Sequence, residues 1–275
     1  LADAVRLAGD RPILLEADHL SAARWQLLSS DPRLRLSHHL VEDLRSIKDE
    51  AEAAALALAC ALSQQALLQV LAEGVRGRTE RELARRLEWL LAEGGGEGPG
   101  FASIVAAGPH SAIPHHRPTD RVIERGDLLK IDFGAKVAGY HADITRTFVV
   151  AAPAAGWQAD LHQLVATAHQ AARDEVRPGA AIAHVDAAAR SLIAGAGHGE
   201  HFGHGLGHGV GLAIHERPLM GPRSSGTLAA GMAVTIEPGC YLPGAGGVRI
   251  EDTVLIGDGG YRSLVTLPRE LTVAQ

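Results

Sequence analysis

The sequence has little cysteine: Cys60 and Cys240 are its only two, far apart and without the close spacing of a structural metal site. One disulfide is the most they could form, and two unpaired thiols in a reducing cytoplasm are the expectation. There is no excess of positive charge either. Lysine and arginine number 26 against 32 acidic residues, a formal charge of −6, which argues against nucleic acid or an anionic membrane as the main partner. No signal peptide is recognisable, and no apolar run reads as long and uncharged enough to cross a bilayer. The chain starts at Leu1 rather than methionine, as a piece cut from a longer protein would.

What is present is apolar residue and histidine. Hydrophobic residues make up 46% of the 275, enough for a sizeable core. The 15 histidines concentrate at residues 110–116 and 198–215, which solvent-exposed filler would not do. Residues 1–43 read as a short αβαβ segment: a helix over Ala2–Leu7, a strand over Arg11–Glu16, a helix around Trp25 and a strand over Arg33–Leu36. That is too little to bury a core alone, and it is expected to be the remnant of a larger amino-terminal domain. Residues 44–275 are expected to form the second, main domain.

One long helix is predicted from about Val41 to Ala72, stopping at Gly74. A second opens on Thr79 and Glu82, a capping box, with Leu83, Leu87, Leu90 and Leu91 at helical spacing. The tract Gly94–Gly100 is a loop. Further helices are predicted over Gln158–Val176 and Ile182–Ala194. Strand-and-turn sequence makes up the rest, so the fold class is α+β with an antiparallel sheet flanked by helices.

The chemistry lies in that strand sequence. Leu128–Phe133 and Asp143–Val150 read as the strands of a hairpin that lets Asp132 and Asp143 approach each other. Two close carboxylates repel, and burying them is costly unless a cation joins them. Val234–Tyr241 and Gly247–Ile256 repeat the pattern with Glu237 and Glu251, both set in Ile- and Val-rich sequence where a lone carboxylate is expensive. In the stretch His204–Leu212, glycine alternates with His204, Leu206, His208, Val210 and Leu212. As a strand this places His204 and His208 on one face, and its glycines admit another backbone closely. Four carboxylates and an imidazole suit two divalent ions such as Mn²⁺, with Co²⁺ or Zn²⁺ as alternatives. Ions ~3.5–4 Å apart can acidify a water and hold a polarised carbonyl.

These motifs together resemble the pita-bread metallopeptidases, the fold of methionine aminopeptidase, prolidase, aminopeptidase P and creatinase, over about residues 41–275. The resemblance implies that Asp132, Asp143, His208, Glu237 and Glu251 are the metal ligands, with Asp143 and Glu251 bridging and Glu237 doubling as general base. Ser111-Ala-Ile-Pro-His115, Glu237-Pro-Gly-Cys-Tyr241 and Gly247-Val-Arg-Ile-Glu-Asp252 resemble the branch that cleaves before proline. Methionine aminopeptidases usually carry different residues beside each glutamate. By the same resemblance His115, His204 and His215 line the site, His115 and His215 acting in catalysis. Tyr241 and Arg249 join the substrate-binding set from a supporting position, Arg249 holding the carboxylates. The family also implies a homo-oligomer, a dimer, acting on peptides with proline in second position.

Members of that family normally carry a much longer amino-terminal domain. Non-catalytic binding modules on this fold typically lose metal ligands, and creatinase is not a metalloenzyme of this type; here all five ligand positions are filled. Within the branch, prolidases carry an arginine directly after the His-Glu-x-Pro segment. His215-Glu-Arg-Pro218 is followed by Leu219, which leaves room for a chain continuing past proline. The expectation is therefore an Xaa-Pro aminopeptidase, with the Xaa-Pro dipeptidase as the alternative if Arg217 or Arg223 takes over the missing cation.

Overall fold

The computed structural model describes residues 2–275. Backbone contacts divide it into two units, the first ending at Arg45 and the second running from Ser46 to Gln275. In the first unit the helix Ala2–Leu7 precedes two parallel strands, Ile13–Glu16 and Leu34–Ser37, joined through the helix Ala22–Leu28. Ser21 starts that last helix, its hydroxyl accepting from the Arg24 amide at 3.3 Å. Among the described residues of this unit Leu34 alone is a buried apolar side chain, in keeping with a segment too small for its own core.

The long helix predicted over residues 41–72 is two helices, Leu40–Ser46 and Glu50–Ala72. Asp49 breaks it. Its backbone is extended, its carboxylate accepts from the Glu52 amide at 2.9 Å, and the Glu52 carboxylate accepts from the Asp49 amide at 2.8 Å. The capping box satisfies two amides that a new helix leaves unpaired. The same motif at Thr79 and Glu82 opens the helix Glu80–Glu93, as the sequence indicated.

The second unit is built from two halves, each a pair of helices covering a sheet. In the first half, Glu50–Ala72 and Glu80–Glu93 pack Leu56, Leu67, Leu83 and Leu87 against Phe133 and Ile144. Its sheet runs, edge to edge, Val273–Ala274, Ile144–Val150, Leu128–Phe133, Ile104–Ala107, and all pairs but the first are antiparallel. In the second half, Gly156–Asp174 and Ile182–Ile193 set Leu161, Val165 and Val185 against Val234, Ile236 and Val254. That sheet is antiparallel throughout, in the order Gly260–Ser263, Asp252–Gly257, Ala233–Ile236, Gly207–Gly209, Glu216–Met220. The α+β architecture with antiparallel sheets is the one expected.

One helix departs from the expectation that nothing apolar is long enough for a bilayer. Glu50–Ala72 has the length and composition to cross one. It also buries Leu56, Ala59, Cys60, Leu67 and Val70 in the first core, which is the placement of a core helix.

Two strand predictions fail instructively. Within the histidine–glycine stretch only Gly207–Gly209 is strand, with an irregularity at His208 and Gly209. There the glycines do what was expected of them: a β-carbon on Gly207 would lie 2.0 Å from the Thr235 carbonyl oxygen, and one on Gly209 would lie 2.2 Å from that of Arg217. The second hairpin is two ladders rather than one. Ala233–Ile236 pairs with Asp252–Gly257, and Gly239–Leu242 pairs with Gly246–Arg249. The break falls at Glu237-Pro238 opposite Ile250-Glu251, because Pro238 has no amide to continue a ladder.

Gly207→Ala should therefore cost about 3 kcal/mol or more, the upper end of overpacking penalties, whereas Gly259→Ala, whose added carbon meets nothing within 4 Å, should be nearly neutral. Urea unfolding midpoints of the two variants check this, and equal midpoints would contradict the close approach.

Candidate metal centre

The antiparallel register that sets Asp132 opposite Thr145 and Phe133 opposite Ile144 brings Asp143, one residue before its strand, to the same end of the ladder as Asp132. From the other half, Glu237 and Glu251 arrive at the ladder break, and His208 projects from the short strand beside Ala233–Ile236. All five line one small cavity of about 100 Å³, together with Phe101, Ile104, Ile214, His115 and His215. The structure thus brings together the whole sequence-predicted ligand set.

Their contacts leave lone pairs pointing inward. His208 donates through Nδ1 to the Gly209 carbonyl oxygen at 3.0 Å, so Nε2 carries the free pair. That atom lies 3.4 Å from Asp143 Oδ2 and 3.4 Å from Glu237 Oε1. Glu251 Oε2 accepts from the Thr145 hydroxyl at 2.6 Å, and Glu237 Oε1 accepts from the Thr235 hydroxyl at 3.3 Å. Asp132 Oδ1 and Glu251 Oε1 are buried with no hydrogen-bond partner. Donor atoms of Asp143, His208 and Glu251 lie within 4.8 Å of one another. Unpartnered buried carboxylate oxygens facing a free imidazole nitrogen fit a divalent cation, which supplies the missing partner.

Arg249 is 2% exposed and gathers the supports. Its Nη2 pairs with Asp132 Oδ2. Nη1 donates to the Tyr241 hydroxyl at 2.9 Å and the Pro114 carbonyl at 3.1 Å, and Nε donates to the Thr145 hydroxyl at 3.0 Å. The Tyr241 hydroxyl in turn lies 2.8 Å from His204 Nε2. His204 Nδ1 donates to the Gly205 carbonyl, which makes Nε2 the acceptor; burial pushes this imidazole down to about 3. Tyr241 and Arg249, counted with the substrate-binding residues from the sequence, are buried behind the carboxylates and do not line the cleft described next.

A cleft of about 600 Å³ is lined by His115, His204, His208, His215 and Glu237 on one side and Leu219 and Arg223 on another. The His208 and His215 rings meet edge to face at 4.4 Å. Arg217 does not line the cleft.

Two supporting residues went unnoticed in the sequence. Lys130, fully buried, donates to the carbonyls of Ser111, Ile113 and Pro114 at 3.1, 2.7 and 3.2 Å. It therefore holds the segment that ends on His115. A lysine inside an apolar strand, two positions from Asp132 and so on its face, was the available signal. Glu80, also fully buried, accepts from the amides of Ala107 and Thr119, the Thr119 hydroxyl, and the rings of His110 and His116. It anchors the same loop from beneath; no sequence signal set it apart, since Glu82 already explains the helix start.

Burial is the main cause that raises Asp143, Glu237 and Glu251 above their ordinary pKa range, and the neighbouring carboxylates add to it. A carboxyl raised in the folded state keeps a proton that the unfolded chain has released. Folding stability therefore falls as pH rises above the ordinary range near roughly 4. A protein stripped with a chelator should melt at steadily lower temperature from about pH 5 to about pH 8. Glu251→Gln should flatten that slope, and added Mn²⁺ should remove it, because a cation takes the place of the proton. A slope identical in the stripped protein and in Glu251→Gln would count against the arrangement.

Comparison with known proteins agrees with this geometry. Residues 54–258 match metallopeptidase family M24. The Xaa-Pro dipeptidase of Pyrococcus horikoshii is 43% identical over 232 residues, 84% of this chain and 66% of that protein, so the chain spans a little under two thirds of that relative. Among solved structures, an Xaa-Pro dipeptidase from Bacillus anthracis superposes with a TM-score of 0.93 at 36% identity, covering 99% of this chain and 77% of that one. An X-Pro aminopeptidase from Thermotoga maritima gives 0.88 at 36% identity, covering 98% and 78%. The fold is the pita-bread fold of these proteins.

Proposed function

The chain belongs to metallopeptidase family M24, and from that premise we propose that it is an Xaa-Pro dipeptidase, a prolidase, working with two divalent cations, Mn²⁺ first among them. The observation that carries the reading is the set of Asp132, Asp143, His208, Glu237 and Glu251 around one cavity, opening on a cleft rimmed by histidines and Arg223. The sequence alone favoured the aminopeptidase because Leu219 stands where prolidases have arginine. Relatives named as dipeptidases support the alternative instead. Leu219 is 63% exposed and shares the cleft wall with Arg223. That supports Arg223 as the cation for the free carboxylate of a dipeptide, a group costly to bury unpaired.

When bound, the cations polarise the scissile carbonyl and bring the pKa of water towards neutrality. Asp132, Asp143, His208, Glu237 and Glu251 would hold the ions, with Asp143 and Glu251, 5% and 1% exposed, the most deeply buried of the set. Glu237 accepts the proton of the attacking water and returns it to the proline nitrogen as the C–N bond breaks. Its raised pKa suits a group that must hold a proton briefly. His115 and His215 are pushed down, first by burial. Both are then neutral at pH 7 and can donate an N–H to the oxygen that gains charge. The two unpaired, buried thiols support work in a reducing compartment, the cytoplasm.

An Xaa-Pro dipeptide should be cleaved with higher kcat/KM than the same sequence extended by two residues. Arg223→Met should raise KM for the dipeptide by about tenfold or more with kcat little changed, the pattern of lost ground-state binding. Faster cleavage of the extended peptide would return the assignment to the aminopeptidase. His215→Ala should lower kcat by roughly 10²–10³, and Glu237→Gln by at least as much. Near-normal turnover at saturating Mn²⁺ would remove that residue from the mechanism.

A further inference from the structure

Away from the carboxylate cluster, the fold brings together donor atoms that the proposed reaction does not use. His198 ends a glycine-rich turn over Ala194–His198, and His201 ends the short helical turn that follows. Their Nδ1 atoms lie 3.1 Å apart and their ring centroids 5.3 Å apart. Cys240, in the strand Gly239–Leu242, places its thiol against the pair: one donor atom from each of the three lies within 4.8 Å of the others. Nothing in local spacing announced this, because the cysteine comes from a distant strand.

Three observations point to a ligand. The nitrogen separation, at which the two rings share a hydrogen bond, is also close to the edge of a tetrahedral site, since two imidazoles at ~2.0–2.1 Å from a zinc ion sit roughly 3.3 Å apart. Cys240 is fully buried, yet its Sγ makes no hydrogen bond among the described residues, so its lone pairs are uncommitted. His198 also lines a cavity of about 360 Å³ beside Trp157, Leu161 and Leu242, which gives an ion a route to that histidine. Burial pushes the thiol up to about 11, and a bound cation is the partner that stabilises the thiolate there.

We propose that His198, His201 and Cys240 form a second metal site, separate from the carboxylate centre, for a borderline or soft transition-metal cation of the Zn²⁺ or Cu⁺ type. An N₂S donor set without carboxylate prefers such ions, whereas the oxygen-rich centre takes harder ones. Cys240 is followed directly by Tyr241, whose hydroxyl accepts from Arg249. An ion at this site would therefore tether the strand that backs the catalytic carboxylates.

The test is optical and independent of peptidase activity. Full-length protein saturated with Mn²⁺ is titrated with Co²⁺, and the near-ultraviolet thiolate-to-cobalt charge-transfer band is recorded. The carboxylate centre has no sulfur ligand, so it contributes no such band. The expected result is one equivalent of cobalt binding with the band, lost in Cys240→Ser and retained in Cys60→Ala. Altering even a ligand's hydrogen-bond partner costs about 10–100-fold in metal affinity, so His201→Gln should weaken cobalt binding by at least that much. Should Cys240→Ser fail to fold, the double change of the half-buried His198 and His201 to Gln asks the same question with both cysteines intact. Absence of the band in the parent protein, or a band that survives loss of both histidines, overturns the proposal.

Discussion

Several carboxylates are buried against one another in the second unit, and most of what surrounds them is arranged to make that tolerable. Two like charges about 4 Å apart repel by about 4 kcal/mol at an effective dielectric near 20, and removal from water adds to it. The fold answers with fixed cations on one side and uncommitted oxygens on the other. Arg249 takes one oxygen of Asp132, and its Nε lies 3.9 Å from Glu237. Lys130 spends its three donors on the carbonyls leading to His115. What neither cation reaches, chiefly Asp132 Oδ1 and Glu251 Oε1, is left to the metal.

The neighbouring acids Glu251 and Asp252 show how finely this is divided. Strand alternation sends them to opposite sides. Asp252 faces Arg146 and Arg269, which donate to it at 2.8 and 2.6 Å. Burial alone would raise its pKa, but Arg146, His169 and Arg269 together bring it below the ordinary range. The Glu251 carboxylate faces Asp143, pairs with no arginine among the described residues, and is raised. One carboxylate is a structural anchor and the other belongs to the proposed ligand set, although they are adjacent in a single strand sequence. The ladder break at Pro238 serves the same end, because it lets one hairpin contribute to two sheets and delivers Glu237 and Glu251 where they meet.

How much of this could be read from the chain depends on the range of each interaction. The capping box at Thr79, the hairpin of Asp132 and Asp143, and the glycines at 207 and 209 are local patterns, and they were legible. Asp49 was passed over when residues 41–72 were read as a single helix, although its capping box with Glu52 is equally local. Glu237 and Glu251 were singled out but placed in mid-strand, since only the three-dimensional pairing reveals that the ladder changes sheets beside them. Glu80, with five donors from residues 107–119, carries no mark that distinguishes it from an ordinary surface acid at a helix start. Leu219 was read as a departure from the prolidase pattern. The relatives lean towards the dipeptidase alternative instead, and Arg223, four residues later, lines the same cleft.

The helix Glu50–Ala72 has a further consequence during synthesis. It is among the first elements of the second unit to leave the ribosome, yet part of what covers it comes last. Gln64 donates to the Leu264 carbonyl across 200 residues and accepts from the amides of Thr266 and Leu267. At the ordinary ~5–20 residues per second, that interval is about 10–40 s. For that time a helix apolar enough for a bilayer has part of its face without a partner. The nascent chain then shows an apolar surface to aggregation and to holding chaperones until the carboxyl-terminal residues arrive.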